Sequence, residues 1–206
     1  MDPVVLGVLS DYEQRARDEW RVMSSIPEAE VMARIDEFLI FIGPDTGRLM
    51  HMLALSSKAK VLVEIGASYG YSTIWLADAA RANGGKVHSL ELSQKKVDHA
   101  RAELKRAGGL DEYVEFHVGD ALKTLAAMPG PFDLVLLDLW KELYVPCFEL
   151  FRPKLAAGAF VVADNMINPP SAKEHTQAYR SLVHAQRDLE SVLLPIGSGV
   201  ELTRRV

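Results

Sequence analysis

From residue 60 onward the chain alternates short apolar runs with amphipathic stretches. The runs at 61–65, 86–90, 113–118, 132–137 and 159–163 are five or six residues long and sit between turn-forming residues, so they read as buried strands. Between them, apolar positions recur at helical spacing near 72–82, 93–107, 120–127 and 141–151. Ser93 is placed to cap the second of these, with Lys96 just inside it. Such regular strand–helix alternation predicts an α/β, doubly wound, mostly parallel sheet with helices on both faces. The end differs. After a helix near 173–187, segments 191–196 and 200–206 flank Gly197-Ser198-Gly199, which predicts a terminal hairpin and seven strands in all.

The first 57 residues are helical in pattern. Asp2-Pro3 is a good helix start, and Val4, Val5, Val8 and Leu9 share a face before the charged run 11–21. A second start at Ser25-Ile26-Pro27-Glu28 leads into Val31, Met32, Ile35, Phe38 and Leu39 at helical spacing. Gly43-Pro44-Asp45-Thr46-Gly47 breaks that pattern, and a third short helix is expected to run to about Leu55. With no internal repeat or linker, the reading is one domain, 1–206, made of a helical extension (1–57) and a Rossmann-like core (58–206). The extension is expected to cover the acceptor pocket, pack against a partner copy or shield the sheet.

Composition narrows the partners. The 206 residues carry 23 basic and 28 acidic side chains, a net charge of −5, so no affinity for nucleic acid is expected. The single cysteine, Cys147, allows no internal disulfide and reads as a packed small hydrophobe; no histidine pair has zinc spacing along the chain. No apolar stretch approaches the roughly 18–20 residues of a membrane span. Met1-Asp2-Pro3 lacks the basic start of a signal peptide, so a cytoplasmic location is expected.

Candidate chemistry gathers where strands end. In an open α/β sheet, ligands bind outside the carboxyl ends of the strands. The first strand runs through Glu64 into Gly66-Ala67-Ser68-Tyr69-Gly70 and a helix beginning near Ser72. The glycines permit a tight turn and close ligand approach, and the following N–H groups suit a polar group. The loop lacks the middle glycine of dinucleotide enzymes, and no tyrosine has a lysine four residues on, which argues against a nicotinamide oxidoreductase. Glu64 suits a cationic amino group, Glu91 the two ribose hydroxyls of a nucleoside and Asp120 an adenine amino group. Alternatively, Asp120 caps the next helix and Glu91 is simply solvated. Three acids ending three strands fit S-adenosylmethionine better than NAD.

Asp138 ends the fourth strand and Asp164-Asn165 the fifth, which should be neighbours on the same edge. Two carboxylates and an amide oxygen are hard donors suited to Mg²⁺ or another hard divalent cation. Lys141, three residues past Asp138, is placed to remove a proton from a hydroxyl acidified by the cation, and Trp140 offers a flat wall. The alternatives are a capping Asp138, a solvated Lys141 and a core Trp140.

The stretches Glu64–Ser72, Asp138-Leu139-Trp140-Lys141-Glu142-Leu143-Tyr144 and Ala163-Asp164-Asn165-Met166-Ile167-Asn168-Pro169 resemble motifs of the catechol O-methyltransferase family and its small bacterial relatives. The resemblance implies sheet order 3-2-1-4-5-7-6 with the last strand antiparallel. It implies Mg²⁺ on Asp138, Asp164 and Asn165, and Lys141 as general base. S-adenosylmethionine would lie along Glu64, Gly66, Ala67, Ser68, Gly70, Ser72, Glu91, Asp120, Asp138 and Trp140, with Ser72 at its methionine end. A small aromatic acceptor with vicinal hydroxyls would sit against Trp140, Lys141, Asn165 and Pro169. Leu139 departs from the mammalian member, which has a histidine there. The glutamate that anchors the second catechol hydroxyl has only Glu190 and Glu201 as candidates. A metal-independent methyltransferase and a non-catalytic nucleoside-binding protein are the alternative functions, and the family contains both monomers and homodimers.

Overall fold

Neighbouring strand residues send their side chains to opposite faces, and the central strands here are apolar at both parities. Leu62, Leu134, Leu136 and Val162 join one buried cluster, while Val63, Ile65, Val135, Leu137, Val161 and Ala163 join another on the opposite face. The two clusters define the layers of a three-layer α/β fold, seen in a computed structural model that describes residues 1–206, the side chain of Glu28 excepted.

The strands are β1 (Val61–Ile65), β2 (Lys86–Glu91), β3 (Val114–Val118), β4 (Phe132–Leu137), β5 (Leu155–Ala163), β6 (Leu189–Leu194) and β7 (Val200–Arg205). They form one sheet in the order β3-β2-β1-β4-β5-β7-β6. Strands β1 to β5 pair in parallel, and β7 runs antiparallel to both β5 and β6. The doubly wound, seven-stranded sheet expected from the sequence is thus present, with the reversed strand where the resemblance placed it.

One face carries α1 (Pro3–Met23), α3 (Gly43–Ser57), α4 (Tyr71–Asn83) and α5 (Gln94–Arg106); the other carries α6 (Ala121–Ala127), α7 (Tyr144–Phe151) and α8 (Lys173–His184). Val5, Val8, Leu9 and Tyr12 of α1 are buried in the same cluster as Leu62 and Val87, so the N-terminal extension shares the core.

Three local expectations differ from what forms. Gly43-Pro44 opens α3 instead of interrupting a helix, because proline's fixed φ and missing N–H cost nothing in a first turn. The run from Val31 to Leu39 is not one helix. A short α2 (Glu28–Ala33) passes into a 3₁₀ turn at Ile35–Glu37, and the chain then extends so that Phe38, Leu39 and Ile42 can all turn inward. The segment expected as a helix over 141–151 begins as a 3₁₀ turn at Lys141–Leu143 before α7 starts at Tyr144.

Candidate active site at the carboxyl edge of the sheet

Beyond Ile65 the backbone turns through Gly66 (φ +99°), Ser68 (φ +48°) and Gly70 (φ +94°) before α4 begins. Both glycines are required sterically. A methyl group at Gly66 would collide with the backbone carbonyl of Asp138, and one at Gly70 would lie 2.6 Å from Cβ of Ala100. The loop is therefore pinned between the end of β4 and α5. Its Ser68 N–H donates to Oε2 of Glu91 (2.8 Å), while Ser93 N–H donates to Oε1 (3.0 Å). Each oxygen of this half-buried carboxylate keeps a lone pair, the pattern needed to accept two further hydroxyls.

Glu64 sits beneath the loop, fully buried, and does not line the recess above it. Its Oε2 accepts from the hydroxyls of Thr73 (2.6 Å) and Ser89 (2.5 Å), and its Oε1 has no hydrogen-bond partner among the described residues. Burial pushes the Glu64 carboxyl up to about 7, against the opposing pull of the surrounding hydroxyls. Asp120 is exposed and caps α6, its Oδ1 accepting from Leu122 N–H (2.8 Å) and Lys123 N–H (3.3 Å). The capping alternative is thus realised.

The recess itself is lined by Gly66, Ala67, Ser68, Ser72 and Asp138 on one side and by Leu39–Phe41 on the other. That second wall was not foreseen. It is held by α1, whose Glu19 accepts from Leu39 N–H and whose Tyr12 hydroxyl donates to the Tyr69 carbonyl (2.5 Å). Tyr69 in turn donates to the Asp36 carbonyl (2.7 Å).

Parallel pairing of β4 with β5 puts Leu137 beside Ala163, so Asp138 and Asp164 leave the sheet together. Asp164 is 1% exposed and its Oδ1 has no hydrogen-bond partner among the described residues. Burial, then the nearby negative charge of Asp138, pushes the Asp164 carboxyl up to about 8. Asn165 follows in left-handed backbone (φ +58°), a conformation asparagine tolerates better than most residues. A buried carboxylate with an orphaned oxygen, a second carboxylate beside it and an adjacent amide make a donor set that fits a hard divalent cation.

Lys141 Nζ donates to Asp138 Oδ1 (3.1 Å), to the Leu139 carbonyl (2.8 Å) and to the Tyr144 hydroxyl (2.8 Å). It is neither solvated nor loose: its side chain is 14% exposed. Tyr144, fully buried, lies 2.9 Å from the Leu137 carbonyl and 3.0 Å from the Asp164 carbonyl, and its one proton serves either. Sequence reasoning missed Tyr144 because a tyrosine at the start of a helix carries no chemical signal; only the fold shows it joining β4, β5 and Lys141. Trp140 is exposed (55%), not core, and Pro169 is also on the surface.

The two acidic candidates for an acceptor contact are placed elsewhere. Glu201 is buried on β7 and bonded to Arg180 (2.7 Å), His184 (2.8 Å) and Ser191 (2.8 Å), while Glu190 is exposed on the edge strand β6. Among the described residues, no helix is long and apolar enough to cross a membrane.

Comparison with known proteins bears on this edge. The methyltransferase domain family matches residues 63–166, from β1 to just past Asn165. A catechol O-methyltransferase of Mycobacterium tuberculosis is 40% identical over 129 residues, 62% of this chain and 58% of that protein's length. A catechol O-methyltransferase of Niastella koreensis is 31% identical over 152 residues, 72% of this chain and 68% of its own. Among solved structures, the O-methyltransferase from Bacillus cereus in complex with SAH superposes with a TM-score of 0.75 at 26% identity, covering 95% of this chain and 100% of the other.

Proposed function

Since the chain belongs to the methyltransferase domain family, with catechol O-methyltransferases among its relatives, we propose that it transfers a methyl group from S-adenosylmethionine to a hydroxyl of a small aromatic acceptor bearing vicinal hydroxyls. The observation that carries this reading is the meeting of Asp138, Lys141 and Asp164 at one strand-end junction, beside the recess lined by the glycine loop.

Glu91 serves the donor's ribose: its two oxygens are already oriented by Ser68 and Ser93 N–H groups, so no side-chain reordering is needed on binding. Gly66 lets the loop pack directly against the Asp138 carbonyl, and Leu39–Phe41 excludes water from the opposite side. Asp120 keeps Oδ1 on the helix cap, leaving its other oxygen for the adenine amino group.

Asp138, Asp164 and Asn165 are the residues that would hold Mg²⁺. When bound there, the ion would lower the pKa of an acceptor hydroxyl and fix the acceptor's orientation. Lys141 is the group that takes the hydroxyl proton, at Nζ, acting as the neutral amine, which gives up one of its three donations and turns the freed lone pair to the hydroxyl. Its anchoring by Tyr144 and the Leu139 carbonyl holds Nζ at Asp138. S-adenosylmethionine, when bound along the glycine loop, would supply the methyl group to that oxygen and leave as S-adenosylhomocysteine. Exposed Trp140 supplies a flat apolar surface for the acceptor ring.

The test is release of S-adenosylhomocysteine from S-adenosylmethionine, with a panel of catechols, in Mg²⁺ and after stripping metal with EDTA. Turnover in Mg²⁺ with loss in EDTA is expected. Turnover unchanged by stripping would remove the metal from the reading, and no turnover with any vicinal dihydroxy aromatic would remove the acceptor class.

A further inference from the structure

Outside this site, three metal-ligating side chains meet on the sheet edge at β2 and β3. The register pairs His88 with Glu115 and Leu90 with His117, and side-chain alternation sends all four to the α6 face. His88 Nδ1 lies 3.2 Å from His117 Nε2. Glu115 closes the group, one oxygen 3.7 Å from His88 Nδ1 and the other 3.7 Å from His117 Nε2. Both imidazoles are about one-quarter exposed (25% and 24%), so the group is reachable from solvent but walled on its inner side. Spacing along the chain gave no zinc pair among the histidines; strand register makes one by joining residues far apart in sequence.

The separations discriminate between readings. Tetrahedral zinc with bonds of about 2.0–2.1 Å sets neighbouring donors about 3.3–3.5 Å apart; the two imidazole nitrogens lie at 3.2 Å, each has a different Glu115 oxygen at 3.7 Å, and one ligand atom from each residue falls within 4.8 Å of the other two. A hydrogen bond between the two rings accounts for the shortest of these separations alone. The donor chemistry also differs from that at Asp138: two imidazoles and a carboxylate favour zinc-like cations, whereas an all-oxygen set favours magnesium.

We propose that His88, Glu115 and His117 bind a zinc(II) ion that staples the edge strand β3 to β2, with a fourth position left to water. The site is independent of the methyl-transfer reading and uses none of its residues.

The experiment is titration of the chelator-treated, full-length protein with Zn²⁺ alone, in excess Mg²⁺ so that the oxygen set is occupied. Co²⁺ absorption reports coordination geometry in parallel. One ion per chain is expected, with a tetrahedral Co²⁺ spectrum and a rise in Tm on adding Zn²⁺. His117→Gln and Glu115→Gln should each weaken Zn²⁺ at least tenfold and abolish the Tm rise, while Asp138→Asn retains wild-type Zn²⁺ affinity. Glu115 is exposed and His117 one-quarter exposed on the edge strand, and unchanged far-UV spectra of the two glutamine variants confirm folding; if one misfolds, the other decides. Zn²⁺ affinity that is unaltered in the folded variants, or lost in Asp138→Asn, would overturn the proposal.

Discussion

Burial sets the protonation of Glu64, and through it a pH dependence. Its carboxyl titrates at about 7 in the folded chain against 4.5 ordinarily. A raised folded-state pKa means the folded protein holds the proton more tightly, so the associated stability is complete below about 4.5 and is lost as pH rises through about 7. The scale is about 3 kcal/mol. Glu64→Gln keeps the neutral shape, so Tm of wild type relative to this variant should fall between about pH 5 and 8 in ligand-free protein. Parallel melting curves would show that Glu64 does not titrate in this window. At the reactive junction, Lys141→Ala should lower kcat by about 10²–10⁴-fold. Asp138→Ala should be worse, because it removes both a cation donor and the partner of Lys141. Tyr144→Phe leaves Lys141 one acceptor short and two carbonyls without their donor; about 1–3 kcal/mol of stability is at stake. A roughly tenfold fall in kcat with KM unchanged would separate this positioning role from simple destabilisation. That Asp138, Lys141 and Asp164 share one junction was legible, because Asp138 and Asp164 each follow a strand and Lys141 lies one turn past Asp138. Tyr144 was not, because its role exists only once β4, β5 and α7 converge.

At the scale of elements, the site is a consequence of parallel pairing. Strands β1, β2, β4 and β5 all point their carboxyl ends the same way, so residues immediately after them share an edge whatever their distance in sequence. The central strands were readable because continuous apolar runs bounded by turn residues have few other uses. The start of α3 was not, since Gly-Pro signals both a break and a beginning; nor was the extended segment after Glu37, whose inward-facing Phe38, Leu39 and Ile42 obey tertiary demand and not local periodicity. Cross-strand partners are invisible to sequence spacing for the same reason, as His88 and His117 show. The cap of α6 gives this scale its test. Asp120→Ala removes acceptance of two N–H groups and should cost about 1 kcal/mol. SAH affinity, measured on the same sample by calorimetry, should also fall, since the oxygen left for the adenine amino group goes with it.

The whole molecule behaves as one unit because its N-terminal third is wired into the cofactor edge. Of the three roles expected for the extension, shielding the sheet is visible, since α1 buries Val5, Val8 and Leu9 in the main cluster, and Leu39–Phe41 adds one that was not expected, a wall of the recess beside the glycine loop. The link between them is Tyr12, whose hydroxyl donates to the carbonyl of Tyr69 inside the glycine loop while its ring packs near Tyr71. Thermal unfolding should therefore be a single transition, with calorimetric and van't Hoff enthalpies equal. SAH at about 100 times its Kd should add about 2.7 kcal/mol, or roughly 5–10 °C for a chain of this size, and NADH should add nothing. Tyr12→Phe keeps the ring and deletes only the bond to the loop. It should lower Tm by about 2–4 °C and weaken SAH several-fold, although Tyr12 does not line the recess. Loss of stability with SAH affinity intact would make α1 a shield alone; loss of both establishes that the extension shapes the donor site from a distance.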